Sequence, residues 1–284
     1  MLGWKRTIRY AASWIRTLFH RFFSDDIPAS SAQLTYYLIL GIFPFLIFII
    51  NLLSYTPLSA LSLTDSMIPI LPADTVILIQ RVLAETVAAK STTLLSASGF
   101  LAIWSTSRAM HAINRGLNKA YKTPEKRVLW KNFLLALVFT VSLMVLVVLT
   151  LFLLVFGKTI SQNLFVYFGA SELFLSLWHL LRWVLPIIMM VFLFSSFYRF
   201  MPNRKVRYHE VWVGAIFSTL GWLLASGLFS RYVSEFDNYT KVYGSLGGII
   251  IFLVWLYIGS MILMMGGEIN ATMAYFSNQK KDRQ

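Results

Sequence analysis

Charge is scarce in this sequence, and cysteine is absent. Of the 284 residues, 13% are charged and none is cysteine, whereas about 25% of the residues in a soluble domain are charged. Without cysteine the chain cannot form a disulfide, a zinc-thiolate site or a cysteine-ligated iron–sulfur centre. No glycine-rich phosphate loop of the Walker type is present, so the chain lacks that ATP-binding motif. We therefore predict no cofactor, no metal site and no catalytic residues, and we do not expect an enzyme.

Long apolar segments fill the chain instead. Hydrophobic residues make up 57% of the sequence, and the mean hydropathy is +0.67. A hydrocarbon core about 30 Å thick is crossed by roughly 20 apolar residues in a helix. Six segments meet this requirement, near 33–55, 92–112, 132–156, 179–200, 211–232 and 244–274. The sequence therefore predicts an all-α fold, a polytopic membrane helix bundle of about six transmembrane helices forming a single integral membrane domain over 1–284.

The positions of the basic residues predict the orientation. The formal net charge is +13, and Lys and Arg are retained on the cytoplasmic side during insertion. They concentrate at 5–21, 108–131, 199–207 and 280–283, while the alternate loops hold few. We therefore expect a multi-pass protein of the inner membrane with both termini in the cytoplasm. The same rule accounts for the basic loops without nucleic acid, so we expect no nucleic-acid partner.

Two further segments are amphipathic. At 100° per residue, residues 1–24 place Trp4, Ile8 and Ile15 on one face and Arg9 and Arg16 on the other. This pattern is typical of an interfacial helix on the anionic inner leaflet, although its apolar face would also suit packing on the protein's own helices. A second amphipathic, extracytoplasmic helix is predicted after Pro72.

Glu268 is the most informative charged residue of the predicted spans. It lies late in the sixth span, two residues before Asn270. A carboxylate inside a bilayer is costly and is often functional, which favours a proton- or cation-coupling group. The alternative is a structural ion pair at the cytoplasmic interface, with Arg108 or Arg115 as the expected partner. We take Glu268, Asn270 and Arg108 as candidates for transport and coupling.

The first span carries a polar stripe. Gln33, Tyr37, Pro44 and Asn51 share one face of an otherwise apolar helix, so Gln33, Tyr37 and Asn51 either line a solute path or make hydrogen bonds between helices. Pro44 and Pro186 also occupy corresponding places in two three-helix halves of the chain. Interrupted helices at matching positions are found at transporter binding sites, but proline is common in membrane helices generally.

Small residues predict where helices approach closely. Gly214, Ser218, Gly221 and Ala225 form a stripe along the fifth span, and Gly244 and Gly248 give the same indication in the sixth. We expect these two helices to be central. The stripe either serves packing within the monomer or supports a homo-oligomer.

Taken together, several short motifs give the chain a resemblance to the YihY/BrkB-type bacterial membrane proteins. The resemblance extends from Asp25 to Glu268 over nearly the whole chain. Its most specific parts are Asn-Arg-Gly-Leu-Asn-Lys-Ala-Tyr at 114–121, Tyr-Gly-Ser-Leu-Gly at 243–247 and Gly-Gly-Glu-Ile-Asn at 266–270. The resemblance implies an integral membrane protein of about six spans. Members are described as transporters, as virulence-associated proteins and, under one label, as tRNA-processing ribonucleases.

Three functional hypotheses follow. The leading one is a secondary transporter or exporter of an ion, small solute or lipid, with Glu268 coupling and the Gln33, Tyr37 and Asn51 stripe lining the path. The alternative is a non-catalytic envelope scaffold or partner subunit, in which the same residues are structural. A ribonuclease is disfavoured because the four histidines lack a neighbouring cluster of carboxylates.

Overall fold

The regular structure of the described residues is entirely helical. A computed structural model describes residues 2–54, 91–124, 130–131, 133–135, 137–142, 146, 172–235 and 245–281, with the backbone alone for some of them. The helices are α1 (Leu2–Ser24), α2 (Ile27–Ser54), α3 (Thr92–Ala120), α4 (Glu172–Phe200), α5 (Trp212–Glu235) and α6 (Ser245–Lys281), with a 3₁₀ turn at Tyr208–Glu210. This confirms the prediction of an all-α membrane protein.

Four of the described helices are long and apolar enough to cross a membrane: Ile27–Phe48, Trp183–Phe200, Trp212–Tyr232 and Gly248–Ser277. They correspond to the first, fourth, fifth and sixth predicted spans. Helix α3 covers the predicted second span but has a more polar composition, with Ser98, Ser105 and Asn114 buried along it. A short apolar helix, Phe133–Ser142, lies in the predicted third span. The rest of that span and the extracytoplasmic helix expected after Pro72 lie outside or largely outside the described residues.

The chain divides into two compact units. The first comprises Met1–Tyr36 and Arg108–Gln284, and the second comprises Tyr37–Ser107. Helices α2 and α3 each contribute residues to both. The expectation of a single domain over 1–284 stays a prediction.

A sharp corner joins α1 to α2 in the first unit. Asp26 has a φ of 51°, in the left-handed region that Asp tolerates better than most residues. Pro28 follows in the first turn of α2, where its missing N–H costs no helical hydrogen bond. The corner turns the chain from α1, which contacts α6, into the first apolar span.

Helices α5 and α6 form the most extensive helix pair of the first unit. A Cβ added at Gly214 would collide with the Gly266 carbonyl, and one added at Gly266 would collide with Ser218 Oγ and the Tyr198 hydroxyl. Trp222 packs edge-on against Trp255 at 5.1 Å further along the pair. Small residues therefore allow the two backbones to approach closely, as membrane helices without a strong hydrophobic driving force require.

The sequence predicts that Gly244 and Gly248 mark the close contact of the sixth span, but in the described part of α6 other glycines make it. Gly248 is exposed, and a Cβ there would meet no atom of the described residues within 4 Å, while Gly244 lies outside those residues. The glycines of α6 that are in close contact are Gly259, Gly266 and Gly267. In α5, Gly214 and Ser218 are buried, and Gly221 and Ala225 are partly buried. Gly214, Ser218 and Gly221 all contact α6 of the same chain.

Pro44 lies inside α2, in the second unit. Proline removes the hydrogen bond that the carbonyl four residues earlier would accept, which here belongs to Leu40. Ser105 Oγ donates to the Leu40 carbonyl at 3.5 Å, and Gly41 brings the two helices together at this point, since a Cβ on it would lie 3.2 Å from Ser105 Cβ. A serine of α3 thus supplies the donor that proline lacks, as occurs in membrane helices.

Candidate functional site

A buried ion pair connects the N-terminal helix to the longest span. Glu268 of α6 is 2% exposed, and its Oε1 accepts a hydrogen bond from Arg21 Nη1 of α1 at 3.1 Å. Arg21 is itself buried and donates to the Ala120 carbonyl at 3.4 Å. Its guanidinium carbon lies 5.2 Å from the centroid of the Tyr275 ring. Arg21 therefore holds α1 against α6 and against the end of α3.

A second carboxylate faces this pair. Asp25 lies close enough to Glu268 to interact with it electrostatically, and Asp25 Oδ2 is buried without a hydrogen-bond partner among the described residues. One cation therefore faces two carboxylates. If both carboxylates are ionised, the cluster of Arg21, Asp25 and Glu268 carries one excess negative charge in a buried place, which is costly unless it is neutralised.

The partner of Glu268 differs from the expectation. We expected a basic residue such as Arg108 or Arg115 as the partner, but the structure places Arg21 against the carboxylate, while Arg108 and Arg115 are exposed on α3. The corner at Asp25 and Asp26 turns the chain between α1 and α2, and α1 then lies beside α6, which brings Arg21 close to Glu268. The sequence contains one weak indication that Arg21 is buried. At 100° per residue it falls on the border between the apolar and polar faces of α1.

Asn270 acts as a cap for another helix. Its Oδ1 accepts a hydrogen bond from the Gly214 N–H at 2.8 Å, and its Nδ2 donates to the Val211 carbonyl at 3.2 Å. The first N–H groups of a helix have no partner within that helix, and α5 begins at Trp212. Asn270 is fully buried, and both ends of its amide are used. Both polar atoms of the Asn270 side chain therefore make hydrogen bonds within the protein, which is a structural role.

The motif at 114–121 forms a buried polar network. Asn114 Nδ2 donates to the Met201 carbonyl at 2.6 Å, and Asn118 Nδ2 donates to Asn114 Oδ1 at 2.5 Å. Asn118 Oδ1 in turn accepts from the Asn203 N–H at 2.7 Å. Sequence reasoning treated these asparagines only as family motifs. Their spacing of four residues on one helix was the available signal.

Tyr121 is the last residue of the same motif, but its hydroxyl is not hydrogen-bonded to these asparagines. The residue is 8% exposed, its hydroxyl has no hydrogen-bond partner among the described residues, and the Arg204 guanidinium lies 5.0 Å from its ring centroid. Burial raises the pKa of the Tyr121 hydroxyl above its ordinary value of 10.0, since the charged form is poorly solvated there. Tyr121 therefore stays neutral at physiological pH.

The polar stripe of the first span is divided between the two units. Gln33 belongs to the first unit and lines a cleft of about 510 Å³. Tyr37 is half-buried in the second unit, where Asn51 is buried and donates to the Ile47 carbonyl of its own helix at 3.0 Å. Of the stripe, only Gln33 borders this cleft; whether the stripe lines a solute path stays a prediction.

The N-terminal helix uses its apolar face in two ways. Trp14, Leu18 and Phe22 are partly buried on the side that carries Arg21, whereas Ile15, Phe19 and Phe23 are between 59% and 68% exposed. One edge of α1 therefore packs on the protein, while the other presents three large apolar side chains outward. Packing on the protein's own helices is therefore present along one edge of α1, while contact of the other edge with the inner leaflet stays a prediction.

These features define the class of the protein. Several helices long enough to cross a bilayer, close glycine contacts between them and an ion pair buried against a spanning helix characterise a polytopic integral membrane protein of the helix-bundle type. The model of the Virulence factor BrkB family matches residues 18–284. The chain belongs to this family, as the motifs at 114–121 and 266–270 indicated.

Curated relatives agree with this assignment. The ribonuclease-like protein YfkH of Bacillus subtilis (strain 168) is 37% identical over 92% of this chain and 95% of its own length. The UPF0761 membrane protein VP0125 of Vibrio parahaemolyticus is 28% identical over 95% of this chain and 85% of its own. The UPF0761 membrane protein VFMJ11_0098 of Aliivibrio fischeri is 26% identical over 96% of this chain. No solved structure is significantly similar to the chain.

Proposed function

We propose that this protein is a secondary transporter or exporter of an ion, a small solute or a lipid, in which the cluster of Arg21, Asp25 and Glu268 couples transport to a proton or another cation. The observation that carries the proposal is the buried Arg21–Glu268 pair against the spanning segment Gly248–Ser277. A buried ion pair is poor evidence for stability, since well-packed apolar residues often serve as well or better. A buried ion pair against a segment long and apolar enough to span the membrane therefore supports a functional role for the pair.

The charge balance of the cluster gives the coupling a physical basis. With Asp25 and Glu268 both ionised, Arg21 leaves one negative charge uncompensated. Uptake of one proton or monovalent cation neutralises the cluster, and its release restores the charge. Because Arg21 holds α1 to α6, a change in this balance would alter the attachment of the N-terminal helix to the longest span.

The proposed arrangement in the membrane follows the basic residues. We place both termini in the cytoplasm of the cell, with the exposed Ile15, Phe19 and Phe23 edge of α1 in contact with the inner leaflet. Large apolar side chains beside a basic face suit binding at an anionic interface. No catalytic activity is part of the proposal; the ribonuclease-like name belongs to the Bacillus relative.

A flux assay tests the transport proposal. Purified protein is reconstituted into liposomes loaded with a panel of cations, amphiphiles and fluorescent lipids, and flux is driven by a proton gradient. Glu268→Gln keeps the size and polarity of the side chain but removes its charge, so it should abolish gradient-dependent flux while the protein remains folded. Glu210→Gln is the matched control, because Glu210 forms an ion pair with Arg204 at the same 3.1 Å but is more exposed. That control should transport normally.

A double variant separates coupling from structure. Arg21→Met with Glu268→Met replaces the pair by apolar side chains of similar size, which should preserve folding. If this double variant carries gradient-driven flux like the native chain, the pair is structural and the coupling proposal is wrong. If no solute moves with the native chain either, the alternative function gains support, namely a non-catalytic envelope scaffold or partner subunit. The complete use of the Asn270 amide as a helix cap favours that alternative.

A further inference from the structure

A polar cleft lies between the start of α2 and the end of α3 in the first unit. The cleft has a volume of about 510 Å³. One wall consists of Asp26, Ala29, Ser30 and Gln33, which recur at the spacing of one helical face, and the other wall includes Arg115, Asn118 and Lys119 of α3, at the same spacing. Two helices thus turn their polar faces toward a common space.

The charges of this cleft leave one cation in excess. Lys119 Nζ lies 2.6 Å from Asp26 Oδ2, and this pair is largely solvent-exposed. Arg115 makes neither an ion pair nor a hydrogen bond within the described part of the chain. Since Asp26 compensates Lys119, the Arg115 guanidinium provides the net charge of the cleft, which is that of a single cation.

Neutral donors stand beside this cation. The Ser30 hydroxyl and the Gln33 amide are partly buried, and neither has a protein hydrogen-bond partner among the residues that the structure describes. By contrast, Asn118 Nδ2 already donates to Asn114, and Asn118 Oδ1 already accepts from Thr123 and Asn203. Arg115, Ser30 and Gln33 therefore offer three side chains with unused donors around a space large enough for a small headgroup.

The depth of the cleft narrows the chemistry of its ligand. The first apolar span covers Ile27–Phe48, and at 1.5 Å per residue Gln33 lies about 9 Å from its start. The cleft therefore lies at one end of this span, and the headgroup zone adds roughly 5–8 Å to each side of the hydrocarbon core that such a span would cross. Guanidinium groups with neighbouring neutral donors bind phosphate oxygens particularly well.

We infer that this cleft is a binding site for a phosphate-bearing anion, with Arg115 as the principal charged contact and Ser30 and Gln33 as neutral hydrogen-bond donors. The net charge of one cation matches a phosphodiester, as in a phospholipid headgroup, and the same chemistry would accept the phosphate of a small soluble compound. Ala29 lines the cleft with only a methyl group, which leaves room for the ligand. The inference does not depend on transport, because it concerns binding at equilibrium.

Calorimetric titration in an uncharged detergent tests the site. The probes are dioctanoyl phosphatidylglycerol, dioctanoylglycerol, which lacks the phosphate, and inorganic phosphate. The native protein should bind the phospholipid saturably and more tightly than the diacylglycerol. Arg115→Gln should weaken binding at least about tenfold, because a hydrogen bond to a charged group is among the strongest. Ala29→Phe should remove measurable binding by filling the cleft without a change in charge.

The same titrations include a control variant and distinguish a lipid headgroup from a soluble phosphate compound. Arg16→Gln removes one exposed basic residue from α1 and should change the affinity less than twofold. Binding of inorganic phosphate as tight as that of the lipid identifies a soluble ligand, and binding of the lipid alone identifies a headgroup. If Arg115→Gln and Arg16→Gln weaken binding equally, if Ala29→Phe leaves the affinity unchanged, or if neither phosphate probe binds the native protein, the inference is wrong.

Discussion

Single buried side chains in this protein take up backbone groups that would otherwise have no partner. The Asn270 amide oxygen accepts from the Gly214 N–H at the start of α5, and Ser105 donates to the carbonyl that Pro44 leaves free. In a bilayer, no water replaces such a bond, so an unsatisfied backbone group is costly. Polar residues of the spans therefore have structural reasons to be present, independent of transport.

Substitution of Asn270 tests whether a buried polar side chain of a span stabilises the fold. Asn270→Ala leaves the Gly214 N–H buried without the Asn270 oxygen, whereas the Val211 carbonyl keeps its bond from the Ala215 N–H, so we expect a loss of about 1–3 kcal/mol in the free energy of unfolding. Asn51→Ala is the matched control, since Asn51 is also buried but, among the described residues, bonds only to a carbonyl of its own helix, and it should cost at most about 1 kcal/mol. Unfolding in mixed detergent micelles measures both. Equal losses would show that the cap contributes no more than an ordinary buried amide.

At the scale of helices, the contact between α5 and α6 depends on the absence of side chains at a few positions. Gly266 is enclosed by Ser218, Tyr198 and the Gly214 backbone. The Tyr198 hydroxyl lies 2.6 Å from Ser218 Oγ and donates to the Leu263 carbonyl at 2.8 Å, which ties α4 to the same place. Three helices therefore meet where a single methyl group has no space.

Addition of that methyl group gives a clear expectation. Gly266→Ala would place a carbon against backbone and buried hydroxyl groups, and because the backbone cannot move aside easily we expect a destabilisation of about 3 kcal/mol. Gly248→Ala introduces the same methyl group in the same helix but into open space, so the melting temperature should not fall. A thermal melt of both variants in detergent compares them directly. A fall of similar size in both would attribute the effect to the helix itself and not to its packing.

The membrane orientation is a property of the whole molecule, and the lack of cysteine makes it simple to measure. We expect both termini in the cytoplasm, because Lys and Arg concentrate in the alternate segments that include 5–21 and 280–283. A cysteine introduced at Ser13 should be inaccessible to a membrane-impermeant maleimide in intact cells and should react after permeabilisation. A cysteine introduced at Lys158, in a predicted outer loop outside the described residues, should react in both. The reverse pattern would overturn the predicted orientation.

The membrane class of this protein, its helical fold class and four of the six predicted spans could be read from the sequence alone. Hydropathy is local, and a run of about 20 apolar residues predicts a span whatever its neighbours are. The same holds for the stripe of Gly214, Ser218 and Gly221, because a three- or four-residue spacing fixes one face of a helix. The motifs at 114–121 and 266–270 indicated the family for a similar reason, since they are read directly from neighbouring residues.

The contacts between residues far apart in the chain could not be predicted from the sequence and are seen only in the folded protein. Arg21 and Glu268 are separated by 247 positions in the chain, and their contact depends on the corner at Asp26, on α1 lying beside α6 and on the rotation of both helices. The same is true of Asn270 and Gly214, and of the cleft formed by Gln33 and Arg115. Helical periodicity fixes the direction of a side chain relative to its own helix. The identity of the group that faces it depends on how the helices pack, which is settled by the summed contacts of the folded chain.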